Sequence, residues 1–244
     1  MNLKTYFLIC KTRTVRLRKT SLFRILEVAH PREWTCNLSL NSTLMKYEAK
    51  PLPFRKQLTG ISEKTMMIHH DKLYVGYVNK RNEIEEKLAK ADRSQANATY
   101  SEYGELKREE SFAANGIFLH EYYFNVLGGE GKQGGELVKA IEAEFGSFDK
   151  WLEDFKAAGM VARGWVVLAY DFNDARLHNY LCDSHNHGGI WGAMPIIVLD
   201  MYEHAYFIDY GSDRKTYIED YMKNLNWDSA NDLYKKVMNM VPKS

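Results

Sequence analysis

The stretch LGGEGKQGG, residues 127–135, divides the chain into two parts with different periodicity, and few folds accommodate both. Five glycines in nine residues break a helix or a strand alike. Before the break, apolar residues recur only at helical spacing. From about Ser62 to Ala91 the residues Met66, His69, Leu73, Tyr77 and Ile84 fall on or near one face. Ser62 or Thr65 offers an N-cap for that helix. ADRSQANATYSEYG, residues 91–104, reads as a turn, and a second helix follows from about Tyr103 to Leu127. Phe112, Gly116, Leu119, His120 and Tyr123 lie near its inner stripe. Two helices with a short connection pack antiparallel. After the break the texture is mixed. ELVKAIEAEF and SFDKWLEDFKAAGM read as helices separated at Gly146. GWVVLAYDF, ARLHNYLCD and MPIIVLD read as strands, the first two forming a hairpin that turns at Asn173–Asp174. KTYIEDYMKNL and SANDLYKKVMNM close the chain as helices. The expected class is therefore α+β: an N-terminal antiparallel helical hairpin over residues 45–128, then an α/β domain with a three-stranded antiparallel sheet over residues 129–244.

Charge marks off a further segment. Residues 1–44 carry eight basic and two acidic side chains, a net of +6, against −5 for the remainder. Such a basic, acid-poor segment fits an organelle transit peptide or a nucleic-acid-binding arm by composition. The simpler reading is a basic extension, disordered or not native, with Met45 as the working start; no chemistry is assigned to it. The overall net charge of +1 gives no general reason to expect nucleic acid as a partner. Cys10, Cys36 and Cys182 are few, odd in number and lack zinc-type spacing, which points to a reducing compartment, the cytoplasm, rather than a disulfide scaffold. An organelle is the alternative if the basic segment is a transit peptide. No apolar run approaches the ~20 residues of a membrane helix.

The run IIVLD, residues 196–200, ends a buried-looking strand on a carboxylate, with His204 four residues later. A carboxylate there is costly unless it is paired or binds a metal. Asp200 and His204 either stabilise each other or share one ion. His69 and His120 sit on the inner faces of the two hairpin helices, where antiparallel packing would let their imidazoles face each other. A single core histidine is more often simply hydrogen-bonded, and spacing alone does not bring the four residues together. Three histidines and one carboxylate suit iron or manganese better than a structural zinc site, which favours thiolates.

The strings MIHHDKLYVGYVN, SFAANGIFLHEYYFNVLGGEG, FGSFDKWLEDFKAA, GWVVL, LDMYEHAYFIDY and NLNW resemble the iron/manganese superoxide dismutases across about Tyr47 to Val241. The resemblance implies one iron or manganese ion per subunit, held by His69, His120, Asp200 and His204 with solvent in a fifth position. It implies dismutation of superoxide to dioxygen and hydrogen peroxide, by an ion alternating between trivalent and divalent states with proton uptake. It implies Tyr77 beside the substrate channel, Trp165 on the pocket wall, and Glu203 reaching across a homodimer or homotetramer to a ligand histidine of the other subunit.

This sequence also departs from the family pattern. Leu73 stands where a channel histidine is usual, and Phe207 where its tyrosine partner across the dimer is usual, so both ends of one hydrogen bond are replaced together. Losing both partners leaves no unsatisfied group. Val167 and Tyr202 stand at positions usually held by tryptophan. The glutamine that normally bonds the bound solvent is absent from both its usual places: Gly116 occupies one, and the loop CDSHNHGGIWG occupies the other. His185, Asn186 or His187 is a candidate stand-in, and His187 is the expected one. The other reading of these departures is a family-derived metal-binding or interaction protein with little turnover.

Overall fold

The computed structural model describes residues 46–241; the basic segment 1–44, with its transit, nucleic-acid and extension readings, lies outside the described residues. Ser62 ends an extended lead-in and caps the first helix, its Oγ accepting from the Thr65 N–H at 3.1 Å. The helix begins as α1 (Glu63–Met67), widens into π-helical turns over Ile68–Tyr74, and continues as α2 (Val75–Lys90). A single unbroken α-helix was the expectation, and the π segment moves its buried stripe. His69 is followed five residues later by Tyr74 and then by Val78, all buried, whereas Leu73 and Tyr77 are half-buried. Such wide turns occur often at functional sites because they re-aim a side chain without ending the helix. Ser101 caps α3 (Glu102–Asn125), accepting from the Gly104 N–H at 3.0 Å. Helix α3 packs along α2 as the second arm of the hairpin.

Beyond the glycine-rich break come α4 (Glu136–Phe145) and α5 (Phe148–Val161), separated by Gly146 in the left-handed conformation. Strands β1 (Trp165–Asp171), β2 (Arg176–Cys182) and β3 (Ala193–Asp200) form one antiparallel sheet in the order β2-β1-β3. This is the expected sheet. The β1–β2 turn is pinned by the Asp171 carboxylate, whose Oδ1 accepts from the Asn173 N–H at 2.8 Å. Strand β1 is central and buried along its whole length, which explains its unbroken apolar run. Its first residue, Trp165, pairs with Cys182 on one side and Asp200 on the other. That register puts an indole and a carboxylate at the same edge of the sheet. The chain then turns through Glu203–Ala205 into α6 (Phe207–Tyr210), α7 (Arg214–Lys223) and α8 (Trp227–Met238). Helix α3 also lies against β3, so the end of that strand faces the hairpin.

Candidate metal centre

Asp200 is fully buried at the end of β3, and each of its carboxylate oxygens has a separate task. Oδ1 accepts from the Tyr202 N–H at 2.9 Å, which fixes the plane of the carboxylate. Oδ2 lies 3.0 Å from His69 Nε2, 3.0 Å from His204 Nε2 and 3.7 Å from His120 Nε2. Ligand atoms of the four residues lie within 4.8 Å of one another. The two hairpin imidazoles do face each other, with ring centroids 5.0 Å apart. The Tyr217 hydroxyl donates to the Asp200 carbonyl at 2.8 Å and secures the strand end from below.

The donor set fits a bound cation. His120 Nδ1 donates to the Gly116 carbonyl at 2.5 Å, so the ring proton sits on that nitrogen and Nε2 keeps a bare lone pair. That Nε2 is buried, points into the cluster and has no hydrogen-bond partner among the described residues. A ligand histidine whose other nitrogen is held by a carbonyl is the usual arrangement at a metal. Burial pushes His120 well below the ordinary histidine range, and it also lowers His69 against the pull of Asp200. Both rings are therefore neutral and ready to bind at neutral pH. Burial alone would raise Asp200, but His204 and His69 together hold its carboxyl well below the usual carboxylate range. Burial opposes protonation of His204, yet the Asp200 charge wins and raises it.

Known proteins resemble the chain over both of its halves. The description "Iron/manganese superoxide dismutases, alpha-hairpin domain" matches residues 46–128, and "Iron/manganese superoxide dismutases, C-terminal domain" matches residues 133–233. The chain belongs to the iron/manganese superoxide dismutase family. It is 45% identical to the iron superoxide dismutase of Aquifex pyrophilus over 198 residues, covering 79% of this chain and 93% of that protein. It is 41% identical to the iron superoxide dismutase of Cupriavidus metallidurans, over 76% of this chain and 95% of the relative. It is 33% identical to manganese superoxide dismutase 1 of Halobacterium salinarum, over 79% and 97%.

Around the cluster the structure corrects one expectation. His187 does not reach the centre: its side chain is 76% exposed, and its Nδ1 faces Asp183 at 3.8 Å. His185 is the buried member of the loop. Its Nδ1 accepts from the Trp165 indole N–H at 3.0 Å, and its Nε2 lies 2.7 Å from the Tyr77 hydroxyl. Asn186 is exposed and donates to Ser111 at 3.3 Å. The physical reason is a short bridge from Ser184 to His187, which turns the loop so that only His185 points inward. Two histidines and an asparagine among four polar positions left no register in the sequence to decide this.

Gly116 is likewise more than a missing glutamine. A Cβ at this position would stand 2.9 Å from the Tyr77 ring, so the glycine lets Tyr77 lie against α3. Gly116→Ala is expected to displace that ring and to cost about 1–3 kcal/mol of stability by overpacking. Urea unfolding measures it. Tyr202 is the wall residue that sequence reasoning described only as a replacement. Its ring stacks on His204 with centroids 5.4 Å apart and stands edge-on to Trp165 at 6.1 Å. Glu203 is exposed. Glu121 was missed altogether. It follows His120 directly, accepts from the Tyr47 and Tyr74 hydroxyls at 2.6 and 2.9 Å, and pairs with Lys50, which ties the lead-in to α3. No sequence signal distinguished it from an ordinary exposed helix charge.

Proposed function

We propose that His69, His120, Asp200 and His204 hold one iron or manganese ion, and that the chain uses it to dismutate superoxide to dioxygen and hydrogen peroxide. The observation that carries this reading is the bare, buried Nε2 of His120 aimed at Asp200 and two further imidazoles. When bound, the ion supplies the redox chemistry, alternating between trivalent and divalent states as it takes an electron from one superoxide and gives one to the next. The similarity to iron-named relatives at 41–45% identity makes iron the first metal to test.

The protein's part is charge, position and protons. Three neutral imidazoles and one carboxylate only partly offset a divalent or trivalent ion, so the centre stays positive and attracts an anion. Burial pushes the Tyr77 hydroxyl up to about 12, so it keeps its proton at neutral pH. An indole N–H can only donate, so the Trp165 bond leaves the His185 proton on Nε2, facing Tyr77. Tyr77 then accepts from His185 and has its own O–H free to donate toward the centre. In this reading His185 takes the place expected of His187, and Trp165 orients it as well as walling the pocket.

A homodimer or homotetramer is part of the proposal. Exposed Glu203 lies beside the exposed apolar side chains Phe207 and Ile208, a surface suited to a two-fold contact in which each subunit offers the same patch. A cytoplasmic location accords with the sparse cysteines, of which Cys182 is free and buried. No helix among the described residues is long and apolar enough to cross a membrane. No nucleic acid is invoked.

The deciding experiment loads the protein separately with iron and with manganese and follows superoxide decay. Decay far faster than that of an equal concentration of free ion is expected with at least one metal. A full metal site with no rate above free ion would overturn the enzyme reading and leave a metal-binding or interaction protein. The same samples in sedimentation velocity are expected to run as dimers or larger.

A further inference from the structure

Four tyrosines with no part in the chemistry above form a continuous row that starts at the ion site. Tyr123 and Tyr217 are fully buried. The Tyr123 ring lies against that of His69, with centroids 5.0 Å apart. Its hydroxyl is 3.3 Å from that of Tyr217. Tyr217 spends its own proton on the Asp200 carbonyl, so Tyr123 is the donor in that pair. Beyond Tyr217 the row forks. One branch is Tyr206, stacked on Tyr217 at 5.2 Å, and the other is Tyr210, edge-on to it at 5.7 Å.

The two branches end differently. The Tyr206 hydroxyl makes no hydrogen bond among the described residues, whereas the Tyr210 hydroxyl donates to Asp220 Oδ2 at 2.9 Å. Asp220 is buried, and Lys223 holds its Oδ1 at 2.8 Å, which leaves Oδ2 to Tyr210. Gly60 closes over the pair: its φ is +76°, and a Cβ there would stand 2.2 Å from the Tyr210 hydroxyl and 2.0 Å from Asp220 Oδ2. A phenol is hard to oxidise while it keeps its proton, because the cation that results is a strong acid. A carboxylate in contact removes that obstacle by taking the proton as the electron leaves. Among the four, Tyr210 alone has such a partner. Burial and the Asp220 bond raise its phenol, so it stays protonated until it is oxidised.

We propose that Tyr123, Tyr217 and Tyr210 form a relay that carries an oxidising equivalent away from the ion site and stores it as a tyrosyl radical at Tyr210, with Asp220 as the proton acceptor. The relay rests on the ion site proposed above but not on turnover with superoxide. Its oxidant is hydrogen peroxide, the product of that proposed reaction. Peroxide becomes two waters by taking two electrons and two solvent protons; one electron comes from the divalent ion and one from Tyr210. The Tyr210 proton passes to Asp220 Oδ2, so the O–H bond is the one bond the phenol loses. Electron transfer falls steeply with distance, and rings in contact keep each step short. The gain is protection, because the equivalent is drawn off before it oxidises the imidazoles that hold the ion. Every member lies within one chain and none needs an open surface, so self-association leaves the row intact.

The test mixes the full-length, iron-loaded protein with hydrogen peroxide, freezes it within seconds and records the EPR spectrum. A tyrosyl signal is expected, narrowed when the protein carries ring-deuterated tyrosine. Tyr210→Phe keeps the ring and is expected to lose the signal, with iron content and superoxide decay unchanged. Asp220→Asn leaves every tyrosine in place and is expected to lose it too, since an amide does not take up the proton. Tyr206→Phe is expected to keep it. Peptide mass spectrometry of the same samples should find more oxidised His69, His120 and His204 in Tyr210→Phe than in the wild type; equal oxidation would overturn the protective role. No tyrosyl signal at full iron content, or the same signal in Tyr210→Phe, would overturn the relay, and the second result would put the radical on a tyrosine beside the centre such as Tyr77 or Tyr202. A protein that forms the radical at Tyr210 but does not outpace free ion against superoxide would keep the relay and lose the dismutase reading.

Discussion

Asp200→Ala is expected to leave the protein folded but almost free of iron or manganese, with superoxide decay at least ~100-fold slower per chain than in the wild type. The carboxylate is the only anionic member of the cluster, and its Oδ2 is the atom on which all three imidazoles converge. Removing it takes away a ligand and the charge that offsets part of the ion's own. Asp200→Asn keeps the volume and the bond from Tyr202, and it too is expected to lose the ion, since an amide is a poor ligand for iron. Metal content and decay rate measured on the same samples separate a lost ion from a lost fold. The pH dependence has a definite sign. Asp200 raises His204, so in the metal-free protein His204 keeps its proton to higher pH than an ordinary histidine, and an incoming ion must compete with that proton. Uptake should therefore weaken as pH falls from neutrality. His69 and His120 are held down by burial and compete with protons only further into acid. Stability of the metal-free protein runs the other way. The His204–Asp200 attraction is fully present below the ordinary histidine value and above the ordinary carboxylate value, and it is lost as pH rises through the raised pKa of His204. In Asp200→Ala that loss of stability with rising pH should vanish from thermal melts.

The sequence made the hairpin and the sheet legible because each buries one face, and burial leaves a periodic trace. His69 and His120 were visible for the same reason: they are polar residues on apolar stripes. Asp200 was visible because a carboxylate at the end of IIVL is costly to bury unless it is paired or binds an ion. The π-helical turns left no such trace. Their extra residue per turn moves the stripe from Leu73 and Tyr77 to Tyr74 and Val78, and either row reads as helical. The loop choice between His185 and His187 was also illegible, because it depends on a bridge from Ser184 to His187 that closes only in three dimensions. Tyr217 under the Asp200 carbonyl belongs to a helix far along the chain, and nothing local announces it. Residues that face the core announce themselves; residues that support others through one hydrogen bond do not.

His185 carries the second large expectation. His185→Ala is expected to keep its ion and to lower the dismutation rate between ~10- and ~100-fold, because Tyr77 loses the donor that orients it. The restoring variant is His185→Gln, since an amide can accept from Trp165 through its oxygen and donate to Tyr77 through its nitrogen. The two side chains differ in one respect. An amide nitrogen has two hydrogens to give, whereas neutral His185, with Nδ1 occupied by Trp165, has one, and it is spent on Tyr77. His185→Gln should therefore recover the rate and also offer a second hydrogen to the centre, shifting its reduction potential, read by redox titration of the visible absorption. Burial pushes His185 down to about 4, so the wild-type ring is neutral through the physiological range and its own protonation adds no step there to the pH profile. Trp165→Phe tests the orienting bond separately. Without the indole N–H the imidazole is free to take either tautomer, and with the proton on Nδ1 it would accept from Tyr77 and turn that hydroxyl away from the centre. A fall in rate at full metal content is the expected signature; the smaller ring also leaves a cavity in the core, so thermal stability falls as well. Wild-type rates in both Trp165→Phe and His185→Ala would mean that Tyr77 is oriented by something other than His185.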